Sequence, residues 1–294
     1  MVEEKKLAQV APRRDEYEGY RDAVVEERVE ANADQNALIP CIAGRYDVLE
    51  CMGQGSQGEV YRARRRTDGA EVAIKVMHCK SGKNWKIYEL FHREAKVLSA
   101  IDIEGVAKFY EAIEDLESAD PVSVIVQQFV DGHALSEFIK AHHRFLLCDI
   151  ADILIQLTKI LERLHHSNPP IIHRDIKPSN IMVFDTPPPY EIRVLDFGIA
   201  SVYDNLQQSQ TLLTQQGSVR GTPSYMAPEL FTGESKASRE ADLYAAGLVY
   251  YEMLTGEIAF NGENFMRIAY KQVNTPLEIP GFVPPGIAHI IGKM

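Results

Sequence analysis

"IIHRDIKPSN", residues 171–180, sets an arginine and a carboxylate beside an apolar pair, adds a lysine two residues on, and closes on an asparagine after a proline. Any one of these can sit on a surface loop by chance. Together, Asp175, Lys177 and Asn180 offer a proton acceptor, a cation and an amide. The question is whether the rest of the chain supplies a role for all three.

At 294 residues, 45% apolar and 25% charged, the chain can bury a full core as one large domain or two lobes. A formal net charge of −11 argues against a nucleic-acid-binding surface or a polybasic membrane patch. The four cysteines, Cys41, Cys51, Cys79 and Cys148, show no paired spacing and read as packed, reduced thiols of a cytoplasmic protein. His142-His143 and His165-His166 read as helix neighbours pointing to different faces, which does not make a metal site. No apolar run reaches a membrane span, and the start lacks a signal-peptide core.

Residues 1–44 form a charged extension, either solvated and partly disordered or carrying a docking helix around Tyr17, Tyr20, Val24 and Val25. From Arg45 onward "YDVLECMG", "GEVYRARRR", "AEVAIKVMH", "FYEAIEDL" and "VSVIVQQFV" read as strands, and "NWKIYELFHREAKVLSAI" as a helix. After Asp131-Gly132 the pattern turns helical. "CDIADILIQLTKILERLHHS" is amphipathic and ends at Pro169-Pro170; "EADLYAAGLVYYEMLTG" is apolar nearly all round, as a buried helix is. The expected fold is α+β and two-lobed. A small antiparallel β lobe with one helix (45–130) is joined to a larger, mainly α lobe (131–294).

"GQGSQGEV" places Gly53, Gly55 and Gly58 where backbone N–H groups can approach phosphates. The same pattern marks dinucleotide folds when it opens a helix; here a strand pattern follows. Lys75, central in the apolar strand "VAIK", needs an anion, and Glu94 is a suitable one; the alternative is an edge-strand lysine reaching water. "DFG" at residues 196–198 follows the opening motif by one short hairpin.

Gly53-Gly55-Gly58, Lys75, Glu94, His173-Arg174-Asp175, Asn180, Asp196-Phe197-Gly198 and Ala227-Pro228-Glu229 together resemble the protein kinases in order and spacing. The resemblance covers roughly residues 45–294, and "NPPIIHRDIKPSN" and "GTPSYMAPE" are most similar to bacterial serine/threonine kinases of eukaryotic-like type. It implies ATP and Mg²⁺ as cofactors and a protein with a Ser/Thr acceptor as partner. Asp175 would take or orient the acceptor proton, Lys177 would neutralise the transferred phosphoryl group, and Asn180 and Asp196 would bind metal. Lys75, held by Glu94, would grip the phosphates. Val60 and Ala73 above and Met182 below would enclose adenine, with Gln127 at the back and Gln128, Phe129 and Val130 at its edge. Leu98, Phe109, His173 and Phe197 would stack between the lobes.

The resemblance further implies that Asp242 braces the catalytic loop and that Thr222 helps form the acceptor site. Arg174 would meet a phosphorylated Thr214, Thr211 or Ser218, with self-association for phosphorylation in trans. Two features depart from the pattern. Gln57 replaces an aromatic at the loop tip, and no arginine follows Arg267 to pair with Glu229, so the large lobe is expected either to be cut short at its end or to be finished differently. The rival functions are a pseudokinase or scaffold without transfer, and a small-molecule phosphotransferase.

Overall fold

The computed structural model describes residues 40–55, 58–78, 85–115, 121–143, 145–184, 189–197, 223–231 and 238–294. The extension up to residue 39, Gln57, Cys79, Gly198, Thr211, Thr214, Ser218 and Thr222 lie outside them.

Five strands form the first sheet: β1 (Tyr46–Gly55), β2 (Gly58–Arg65), β3 (Glu71–His78), β4 (Phe109–Asp115) and β5 (Val122–Gln128), with α1 (Trp85–Ser99) between β3 and β4. All neighbours pair antiparallel in the order β1-β2-β3-β5-β4, so β3 lies at the centre. Period-2 alternation sorts its side chains. Val72, Ile74 and Val76 join Tyr61, Ala63, Val122, Val124 and Val126 in one apolar cluster. Ile42, which sequence assigned to the extension, is buried in the same cluster. Lys75 pairs with Val60 on one side and Ile125 on the other, and Ala73 pairs with Gln127, so these five share the opposite face.

Beyond β5 come β6 (His133–Ala134), α2 (Leu135–Lys140), α3 (Leu147–His165), β7 (Ile181–Val183) and β8 (Ile192–Val194). The second sheet is ordered β6-β7-β8. The chain then forms α4 (Pro228–Phe231), α5 (Arg239–Thr255), α6 (Phe265–Asn274) and α7 (Pro285–Ile291). Helix α3 stops at His165, earlier than the prolines suggest, where Ser167 Oγ donates to the carbonyls of Leu164 and Pro169. Helix α5 is N-capped by Ser238 and ends on Gly256, whose φ of 74° a side chain would resist. One core cluster joins Phe91 and Leu98 of α1, Leu157 and Leu161 of α3, Ala246 and Val249 of α5, and Phe197. The two lobes therefore share a continuous apolar core, and the candidate site sits on loops that this core holds.

Candidate active site

Residues 171–177 lie outside any helix or strand, so their backbone groups need partners elsewhere. Asp242, 1% exposed in the first turn of α5, supplies two of them. His173 N–H donates to its Oδ2 and Arg174 N–H to its Oδ1, each at 2.8 Å, and His165 Nε2 meets Oδ2 at 2.8 Å. This fixes the loop by its backbone and leaves its side chains for other contacts. Arg174 adopts a φ of 72° there, a conformation costing about 1–2 kcal/mol that the flanking bonds hold in place.

Within the loop Lys177 Nζ donates to Asp175 Oδ2 at 2.8 Å. Asn180 Nδ2 donates to both the backbone carbonyl and Oδ2 of Asp175, each at 2.9 Å. The opening triad is thus one hydrogen-bonded unit. Asp175 Oδ1 and Asn180 Oδ1 remain as oxygen acceptors beside it. His173, fully buried, faces the Leu195 carbonyl through Nε2 at 3.0 Å, while Asp175 N–H donates to its Nδ1 at 3.3 Å. That pairing requires the neutral ring protonated on Nε2. Burial pulls the His173 pKa below its ordinary value, outweighing the charges of Asp242 and Asp175. Its ring lies 4.5 Å from Phe197, and Leu98 and Phe109 belong to the same core. Leu195 N–H donates to Asn180 O at 2.9 Å, which sets Asp196 next to the loop.

Lys75 is on the central strand, not an edge, and is 9% exposed. Its Nζ lies 3.0 Å from Glu94 Oε1 and 3.9 Å from Asp196 Oδ1. Burial favours the neutral amine, but the Asp196 and Glu94 carboxylates outweigh it and hold the ammonium above its ordinary pKa. Burial pushes Glu94 upward despite the lysine. Asp196, at φ 43°, keeps its side chain 38% exposed.

The glycine stretch closes β1 onto β2, with Gly53 paired to Val60 and Gly55 to Gly58, which removes the dinucleotide alternative. A Cβ on Gly58 would lie 2.0 Å from the Val76 carbonyl, at a φ of 120°. Gly53 has open space where its Cβ would be. Val60 and Ala73 are half-buried, and Met182 clusters separately with Ala107 and Val130. Gln127 is buried. Gln128 N–H donates to Lys108 O at 2.7 Å, and its side-chain oxygen accepts from Arg193 Nη1, a cross-lobe link the sequence did not suggest. The Arg62 guanidinium lies 4.6 Å above the Phe129 ring.

A pocket between the 174–176 loop and the 225–230 segment, which includes Asp175 and Tyr225 in its lining, is floored by Ala241, Asp242 and Ala245 of α5. Tyr225 Oη donates to Glu252 Oε2 at 2.5 Å. Arg174 Nε is buried with no hydrogen-bond partner among the described residues. Glu229 is not left without a partner, and its charge adds to burial in raising Tyr244 to about 12.

Among the described residues no cluster of three His, Cys, Asp or Glu side chains could hold a metal ion. His142 and His143 lie past the end of α2 rather than on a helix, and His143 stacks against Phe138 and Phe145. Asn180 and Asp196 offer hard oxygen donors, the chemistry of a divalent cation that completes its shell with phosphate and water. No described helix is long and apolar enough to cross a membrane.

The family model described as protein kinase domain matches residues 46–284. The chain is 33% identical over 249 residues to a probable serine/threonine-protein kinase PknB of Bifidobacterium longum, covering 83% of this chain and 35% of that protein. It is 35% identical over 237 residues to the serine/threonine-protein kinase PrkC of Bacillus subtilis, covering 80% and 34%. With PknB of Mycobacterium tuberculosis it shares 32% over 248 residues, 84% and 37%. The chain spans about a third of the length of these curated relatives. On the family match and these bacterial relatives, the chain belongs to the protein kinase family.

Proposed function

We propose that this chain is an ATP- and Mg²⁺-dependent protein kinase that transfers the γ-phosphate to Ser/Thr hydroxyls of proteins. One observation carries the reading: Lys177 and Asn180 converge on a single oxygen of Asp175 while Asp242 holds the loop's backbone. That leaves Asp175 Oδ1 to orient the acceptor hydroxyl and take its proton. Lys177 neutralises charge on the phosphoryl group in flight. Lys75, kept cationic beside Glu94, grips the phosphates, and the backbone of Gly53, Gly55 and Gly58 covers them. Asn180 and Asp196 would hold Mg²⁺, whose charge when bound screens the phosphate oxygens from one another. Val60, Ala73 and Met182 enclose adenine, with Gln127 behind it and the backbone of Gln128, Phe129 and Val130 at its edge.

The kinase domain is read as 45 to 294, with lobes at 45–130 and 131–294, after an extension at 1–44 whose end, at Ile42, packs into the small-lobe core. The orphaned Arg174 Nε supports control by a phosphorylated residue, Thr214 before Thr211 or Ser218, added in trans by a second copy. Unpaired thiols at Cys41, Cys51 and Cys148 suit a cytoplasmic site of action.

The test is incubation with Mg²⁺ and γ-labelled ATP beside an Asp175→Asn control, with phosphosites mapped by mass spectrometry. Labelled Ser/Thr is expected, with a rate about 10²–10⁴-fold lower in the control. ATP binding without transfer, or equal labelling of the control, would overturn the assignment.

A further inference from the structure

Helix α6 has two unlike faces. Met266, Tyr270 and Val273 are exposed, while Ile268, Ala269 and Gln272 are buried. Ile268 packs in an apolar cluster with Leu248, Phe260 and Tyr225. One turn further on, at a position where an apolar side chain would serve packing alone, the chain carries an amide. Gln272 is 6% exposed, and its Nε2 donates to the carbonyls of both Pro223 and Ser224, each at 2.9 Å. Two carbonyls on one nitrogen settle which way the amide faces. Its Oε1 is buried without a hydrogen-bond partner among the described residues, a cost that packing does not explain.

The turn so held, Pro223–Tyr225, leads directly into Met226, Ala227 and Leu230, which with Tyr225 form one wall of the pocket that Asp175 also lines, above α5. Pro223 O also accepts Met226 N–H at 3.1 Å; among the described residues the Ser224 carbonyl has Gln272 alone. Tyr225 is anchored separately to Glu252 of α5. The turn is therefore clamped between two helices, and α6 holds its backbone. We propose that Gln272 is a positioning residue of the acceptor site: its amide fixes the 223–225 turn and so the wall that an acceptor peptide meets beside Asp175. This rests on the protein kinase reading. Among the described residues, the recorded ion pairs and hydrogen bonds of Lys75, Glu94 and Asp196 involve neither α6 nor the turn, so the effect should fall on the acceptor and not on the nucleotide.

The experiment uses the full chain with dephosphorylated casein as acceptor, comparing wild type, Gln272→Leu and Gln272→His. KM for casein, KM for ATP and acceptor-free ATP hydrolysis are measured for each. Gln272→Leu is expected to raise KM for casein about tenfold, the effect of losing roughly one hydrogen bond. KM for ATP and acceptor-free hydrolysis should stay within about twofold, a split that general loosening of the fold would not give. Gln272→His keeps one donor and should recover part of the loss; if the leucine variant does not fold, the histidine variant carries the same split with a rise of about threefold. Variants with an unchanged KM for casein, or with both KM values raised alike, overturn the inference while wild-type labelling leaves the kinase reading standing. A wild-type chain that hydrolyses ATP but labels no acceptor sinks that reading, and this one with it.

Discussion

Glu94 in the small lobe and Asp242 in the large lobe are both carboxylates taken out of water, 2% and 1% exposed, and they are satisfied in opposite ways. Asp242 accepts from two backbone N–H groups and meets the side chain of His165, the last residue of α3. The contact recorded for Glu94 is the tip of one long side chain, Lys75, which also lies within 4 Å of Asp196 at 3.9 Å. A carboxylate held by backbone fixes geometry. One held by a flexible cation fixes charge and lets position adjust. On the proposed function, the large lobe would set where the chemistry occurs and the small lobe would supply a cation able to adjust to its substrate.

The contrast is broken most directly by Asp242→Ala. It strands two buried N–H groups and His165, and urea denaturation should show a loss of about 3–5 kcal/mol together with most of the activity. If this substitution costs no more than removing Lys75, the distinction fails. Lys75→Met should cost less, about 1–3 kcal/mol at pH 7, because burial already favours the protonated form of Glu94. In that variant the folded state holds the Glu94 proton better than the unfolded chain does. Its deficit should therefore be smallest below the ordinary value of 4.5 and grow as pH rises through the elevated folded-state pKa, which paired melts of variant and wild type across pH would reveal.

A further pH effect concerns His173. Its folded pKa lies below the ordinary 6.5, so the unfolded chain binds the proton better and stability should drop as pH falls through 6.5. The loss is read as a falling Tm. His143, also depressed by burial, shifts stability the same way, so a His143→Phe variant separates the two contributions.

What the sequence made legible was local. The glycine stretch, the central lysine of "VAIK" and the Asp175-Lys177-Asn180 triad each sit within a few residues, where spacing alone limits what they can do. Asp242 was placed only through resemblance, since it meets His173 across 69 residues. The Arg193–Gln128 link, 65 residues apart, and the Gln272 clamp were missed for the same reason. For Gln272 one signal existed: a polar residue on the face of α6 that Ile268 and Ala269 mark as inward. The short strand β6 and helices α6 and α7 were not read at all, because their periodicity is brief and their stability comes from packing.

The alternation of β3 carries a consequence for how the small lobe folds. Sliding that strand by one residue would turn Ile74 toward Glu94 and drive the Lys75 ammonium among Val126, Val124 and Tyr61. A bare charge in hydrocarbon cannot persist there. The lysine proposed to grip phosphate would thus also select the register of strand pairing, since a slipped β3 buries its charge in an apolar cluster.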